Sequence, residues 1–221
     1  MMRWLPEDVS TYGREIDALF FLIYYITAAT FILVTVLMLW FLWKYRDQGN
    51  RRATYTHGNT TLEIIWTVIP AAILIVLSFM SVSTWAKVKR EVPPTDFEVS
   101  VAAKQFNWDV SYPGPDGKLG TADDIKFDND IHVPVNKVVR LHITANDVIH
   151  SLFIPNLRFK QDAVPGRTIL GWIEATKPGK YELPCAELCG FGHSGMKGWL
   201  HVHPAEDYAK WAAENLAPKP Q

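Results

Sequence analysis

A chain of 221 residues with 22 basic and 23 acidic side chains has a net charge of −1, which gives no electrostatic reason to expect nucleic acid. Its 48% hydrophobic content looks ordinary, but the apolar residues concentrate in the first 90 positions, and the remainder reads as a soluble domain rich in turns.

Taken in chain order, residues 1–17 form an N-terminal segment whose apolar run begins only at Ala18, after an acidic stretch, so it does not read as a cleavable signal. Residues 18–43 and 64–86 contain no charged side chain, and each exceeds the roughly 20 residues that cross a bilayer core as a helix. A chain this short could hardly bury two such helices in a soluble core. Pro70 lies inside the second span, where a kink is expected and not a break. Trp40, Trp43, Tyr45, Trp66 and Trp85 flank the spans as interfacial anchors do. Two crossings return the chain to its starting side. The loop 44–63 carries Lys44, Arg46, Arg51 and Arg52; the other side carries Arg3, Arg14, Lys87, Lys89 and Arg90. A plain count does not decide, but the flank that follows the first helix is the more basic, which places the loop in the cytoplasm and the domain outside.

Residues 87–94 read as a linker, charged and then stiffened by Pro93 and Pro94. The domain 95–204 follows. Phe106, Trp108, Val110 and Tyr112 alternate with polar residues, a period of two. Further short β-like runs cover 97–102, 137–144, 151–155, 168–175, 180–183 and 197–203, separated by turn signals at 113–117, 164–167 and 177–180. Many short strands at this spacing predict an antiparallel sandwich or barrel. Pro204 then opens a short helix within 205–221, with Tyr208, Trp211, Ala212 and Leu216 on one face.

The chemistry concentrates in Cys185-Ala-Glu187-Leu-Cys189-Gly-Phe-Gly-His193-Ser-Gly-Met196, which holds the chain's two cysteines. Thiolate and thioether are soft ligands that favour copper(I), and imidazole suits copper as well. Gly190, Gly192 and Gly195 let the loop fold back. A disulfide is the first competing reading, and it accounts for neither His193 nor Met196. A structural zinc site would take Cys185, Cys189, His193 and one more histidine, and has no use for Met196. His150, after a turn at the start of a strand, is the best candidate for a ligand from elsewhere. His142 reads as a polar strand face; His201 and His203 share one face of the last strand and could in principle chelate, with solvent exposure the default reading; His57 and His132 have no cluster around them.

At these residues the sequence resembles subunit II of haem–copper cytochrome c oxidases. The resemblance spans nearly the whole chain and is carried by the metal loop, by NDVIHSLFIP, by DAVPGR and by LEIIWTVIPA. It implies a two-helix transmembrane hairpin followed by an all-β cupredoxin-like sandwich and a short C-terminal helix, in the inner membrane of a bacterium with the domain outside. It implies a dinuclear copper centre, CuA: Cys185 and Cys189 bridge two ions, His150 and Met196 complete one, and His193 with the Glu187 carbonyl completes the other. The Glu187 carboxylate would face subunit I and help hold magnesium or manganese. Glu63 would lie near the mouth of a proton channel in that subunit, although an acid favoured by a helix N-terminus is the plain reading. Electrons would come from cytochrome c or a haem c domain and pass to haem in subunit I, supporting oxygen reduction and proton pumping by the assembled subunits. The chain has no CxxCH haem attachment of its own, so it is expected to relay electrons without reducing oxygen.

Two features depart from the family pattern. Where many relatives have a tryptophan that receives the electron, this chain has Phe106, with Trp108 two positions on. The acidic segment 113–130 is also unusual; a solvated turn is the plain reading, a docking surface or a loose calcium site the others. The functional alternatives are a membrane-tethered copper chaperone, a structural-metal assembly factor, and a quinol-oxidase relative lacking the copper ligands.

Overall fold

The computed structural model describes residues 5–47, 49, 52 and 54–216. Arg3 and Arg51, used above in reading orientation, lie outside the described residues, as does the tail from 217.

Helix α1 (Gly13–Lys44) has 32 residues and α2 (Thr60–Lys89) has 30, so both run past their charge-free stretches. At about 1.5 Å per residue each exceeds the roughly 30 Å of a hydrocarbon core. The α2 backbone continues through Pro70. Asn59 caps it, accepting from the Leu62 N–H at 3.1 Å, and Glu63 sits in its first turn, where the helix dipole favours an acid. Along both helices, hydroxyls that would otherwise be unpaired in lipid donate to carbonyls four residues back, as Thr27 does to Ile23 and Thr67 to Glu63, each at 2.8 Å. None of the α2 residues is buried, which suits a helix whose apolar surface faces lipid or a partner.

The β domain comprises β1 (Phe97–Lys104), β2 (Asn107–Tyr112), β3 (Ile125–Asp128), β4 (Asp130–Pro134), β5 (Val139–Ala145), β6 (His150–Ile154), β7 (Phe159–Ala163), β8 (Ile169–Ile173), β9 (Gly179–Pro184) and β10 (Lys197–His203). A five-stranded sheet has the order β3-β2-β1-β5-β8; a second has β4-β10-β9; β6 and β7 form a hairpin. The strands are not all antiparallel: β1 runs parallel to β5, and β4 to β10. β5 reaches β1 by way of β4 in the other sheet, and β10 joins β4 only after β5 to β9 have intervened, long connections that local alternation does not encode.

Alternating residues from both sheets build the core: Val99 and Val101 of β1, Trp108 and Val110 of β2, Leu141 and Ile143 of β5, Leu200 and Val202 of β10. The chain switches sheets at Asn129, whose φ of 65° is left-handed. Its side chain accepts from the Trp108 N–H at 3.0 Å, and its carbonyl accepts from the Trp199 N–H at 2.9 Å. Gly198 is required beside it, because a Cβ there would lie 1.9 Å from the Asn129 carbonyl oxygen.

The segment 113–130 is a turn for only part of its length; its end forms β3 and the first residue of β4. Its carboxylates serve the turn itself. Asp116 accepts from the Lys118 N–H at 2.8 Å, Asp124 from the Gly120 N–H at 2.8 Å, and Asp123 from the Thr121 hydroxyl at 2.6 Å. Helix α3 (Ala205–Asn215) follows Pro204, and Trp211 and Leu216 from the predicted face pack against the core.

Candidate metal centre

The loop after β9 brings together the sulfur and nitrogen groups singled out in the sequence. Its base is fixed by backbone bonds: the Cys185 N–H donates to the Met196 carbonyl at 3.0 Å, and the Ala186 N–H to the Ser151 carbonyl at 2.9 Å. This seats Cys185 beside the start of β6, where His150 lies. Gly190 turns the loop back at φ 134°, a conformation that favours glycine.

The side chains then converge. Cys185 Sγ lies 3.9 Å from Cys189 Sγ and 3.9 Å from His150 Nδ1. Cys189 Sγ lies 3.6 Å from His193 Nδ1 and 3.8 Å from Met196 Sδ. The Glu187 carbonyl accepts from Cys185 Sγ at 3.3 Å, while its carboxylate is on an exposed residue. The sulfur separation shows free thiols and no disulfide. His150, Cys185, Cys189 and Met196 are buried, and His193 is half-buried. Burial, then the neighbouring Cys185, pushes the Cys189 thiol up to about 11. The Cys189 thiol, buried beside a second sulfur, therefore resists ionisation unless a cation joins it. The donor set is soft, dense and closed, so these residues form a group able to hold a metal and fit copper.

Two residues outside the sequence prediction support this group. Asp147 accepts from His150 Nε2 at 2.9 Å, which leaves Nδ1 facing Cys185. Burial raises the Asp147 carboxyl, but hydrogen bonds from His150, Gln105 and Val148 outweigh it, and the net shift is downward. Gln105 donates its side-chain amide to the Cys189 carbonyl at 2.5 Å. An acid three residues before a candidate histidine is the signal that could have found Asp147; nothing local marks Gln105.

The structure separates the two aromatic candidates. Trp108 is 0% exposed and its ring meets the His150 ring edge-on at 6.2 Å, so it sits in the core. Phe106 is 39% exposed and covers the loop: a Cβ on Gly192 would lie 2.5 Å from its ring. Glu63 is an exposed residue of α2 and no part of this cluster. Among the remaining histidines, His142 pairs with Glu98 at 2.8 Å, as a polar strand face would. His132 is not isolated, nor are His201 and His203 simply exposed. The parallel pairing of β4 with β10 stacks the His132 and His201 rings at 4.3 Å, and His132 Nδ1 meets His203 Nε2 at 2.9 Å.

Comparisons with known proteins agree across the chain. Residues 3–84 match the family model described as cytochrome C oxidase subunit II, transmembrane domain; residues 100–201 match that of its periplasmic domain. A probable cytochrome c oxidase subunit 2 of Rickettsia bellii is 34% identical over 86% of this chain and 75% of its own length. A cytochrome c oxidase subunit 2 of Cereibacter sphaeroides is 33% identical over 84% and 71%. The crystal structure of the periplasmic domain of subunit II of cytochrome oxidase from Bradyrhizobium japonicum superposes with a TM-score of 0.50 at 33% identity, covering 56% of this chain and 96% of that one.

Proposed function

The chain belongs to the cytochrome c oxidase subunit II family, and on that premise we propose that it is the copper-bearing, non-catalytic subunit that relays electrons from a cytochrome c-type donor towards haem in subunit I. It is a membrane protein with an outward-facing domain and a subunit of an oxidase complex that pairs with other oxidase subunits. The convergence of Cys185, Cys189, His150, His193 and Met196 within 3.6–3.9 Å links is the observation that carries the finer reading.

Bound copper would supply a one-electron couple whose charge change is spread over soft ligands. The protein's part is to hold those ligands still. Cys185, Cys189, His150, His193, Met196 and the Glu187 carbonyl would together hold the copper. Asp147 fixes the His150 ring, Gln105 anchors the loop through the Cys189 carbonyl, and the buried sulfurs exclude water. A ligand set with no open position suits electron transfer and not substrate binding. The exposed Glu187 carboxylate is free to share a magnesium or manganese ion with subunit I, and Phe106, being both exposed and against the loop, is the better placed of the two aromatics to meet a donor. Glu63 at the α2 N-terminus would serve proton uptake in subunit I.

The test is electron paramagnetic resonance with copper analysis on the full chain, purified in detergent, loaded with copper and oxidised. Two coppers per chain with a seven-line hyperfine pattern, the signature of an electron shared by two equivalent nuclei, is the expected result. One copper with a four-line pattern would favour a copper chaperone. Preferential retention of zinc would favour a structural-metal assembly factor.

A further inference from the structure

Away from the cysteine loop, three histidines and an acid share the face of β4 and β10 that turns from the core. In β4, Ile131 and Val133 are buried while Asp130 and His132 face the other way; in β10, Leu200 and Val202 are buried while His201 and His203 do. The parallel register places His201 directly opposite His132 and His203 opposite Pro134. Trp211 of α3 stacks on His132 at 4.2 Å and 6°, closing the far side of the ring.

We propose that Asp130, His132 and His201, with His203 orienting His132, form a second metal site, for a divalent ion of the zinc class. One ligand atom from each of Asp130, His132 and His201 lies within 4.8 Å of the others. The independent sign is His201 Nε2: it is buried and has no hydrogen-bond partner among the described residues. It faces Asp130 Oδ1 across 3.7 Å, too far for a hydrogen bond. Two atoms each about 2.1 Å from a tetrahedral zinc lie roughly 3.4 Å apart, so an ion fits between His201 and Asp130 with a shift of a few tenths of an ångström, and the His132 and His201 rings, parallel to within 2°, must tilt towards each other to share it. His203 holds one nitrogen of His132 at 2.9 Å, the arrangement by which a second residue commits the other nitrogen to a metal.

Lys180, paired with His201 across β9 and β10, opposes a cation, but its ammonium rests over the Trp199 ring at 4.3 Å and Asp130 offsets it. Imidazole with one carboxylate suits zinc and disfavours calcium or magnesium. Three protein ligands leave a fourth position for water.

The experiment is zinc chloride titration of the full chain in detergent after copper loading, followed by dialysis and metal analysis. Wild type is expected to retain one zinc with no change in the absorption of the cysteine loop, and its thermal midpoint should rise with zinc. Asp130→Asn and His201→Asn should each weaken binding at least tenfold and abolish that rise, and His203→Asn should weaken it by roughly tenfold. His142→Asn, on the other sheet, should bind zinc as wild type does. No retained zinc, or equal binding by wild type, Asp130→Asn and His201→Asn, overturns the proposal. So does an equal loss in His142→Asn, which would mark non-specific histidine binding. Because Asp130→Asn conserves size and Asp130 lies off the core, its folding can be checked by its zinc-free midpoint.

Discussion

Met196 shows how packing and ligation can be told apart at a single position. It is 1% exposed and belongs to the core cluster, yet its sulfur also lies 3.8 Å from Cys189 Sγ. Leucine fills nearly the same volume, and such swaps cost less than about 1.5 kcal/mol. Met196→Leu should therefore fold and melt within a few degrees of wild type, while the hyperfine pattern and visible absorption of the copper-loaded chain change. Unchanged spectra would assign Met196 to packing alone. The sequence made this residue legible because Cys185, Cys189, His193 and Met196 lie within twelve positions and glycines permit the turn. Gln105 was not legible, since it reaches Cys189 across 84 positions, nor was the His132–His203 contact, which spans 71. Such pairs exist only once strands from distant parts of the chain are laid side by side.

Among the elements, the β6–β7 hairpin matters most for the centre because it carries His150. Ser151, fully buried next to His150, donates its hydroxyl to Asp162 of β7 at 2.7 Å. That hydrogen bond is the largest influence lowering the Asp162 carboxyl, ahead of opposing burial and the nearby Lys160. A carboxyl depressed in the folded state adds stability that is complete above its unfolded value of about 3.9 and is lost as pH falls through the lower folded value. Asp162→Asn should thus lower the domain's thermal midpoint at neutral pH and shrink that difference below about pH 4. Equal midpoints for both proteins at neutral pH would remove Asp162 from the hairpin's support. This strand was missed in the sequence for a plain reason: in Phe159–Ala163 only the two end residues are buried, so FKQDA carries no alternation. By contrast β1, β2, β5 and β10 alternate along their length and were legible.

On the scale of the whole molecule, the chain divides into two compact units, Glu15–Lys87 and a second one that joins Met1–Arg14 with Val88–Gln221. The N-terminal segment is therefore built into the domain that carries the metal centre. Val9 is 1% exposed, donates its N–H to the Asn156 carbonyl at 2.9 Å and accepts from Thr176 at 2.8 Å. Tyr12 packs edge-on against Trp172 at 5.0 Å, and Lys177 pairs with Glu7 at 2.9 Å. Both ends of the helical unit join the same folded body, which requires an even number of crossings. No hydrophobic period marks Val9 in the sequence, because its partners lie beyond both helices. Removing its two methyl groups should cost the domain roughly 1–3 kcal/mol. Val9→Ala should therefore lower the thermal midpoint of the domain in the full chain by several degrees, followed by near-ultraviolet circular dichroism in detergent. Leu33→Ala, an exposed residue of α1, should leave it unmoved. If Val9→Ala also leaves the transition in place, the first residues merely lie against the domain, and a fragment starting after the second helix would retain its full stability; if it shifts, that fragment has lost a piece of its own core.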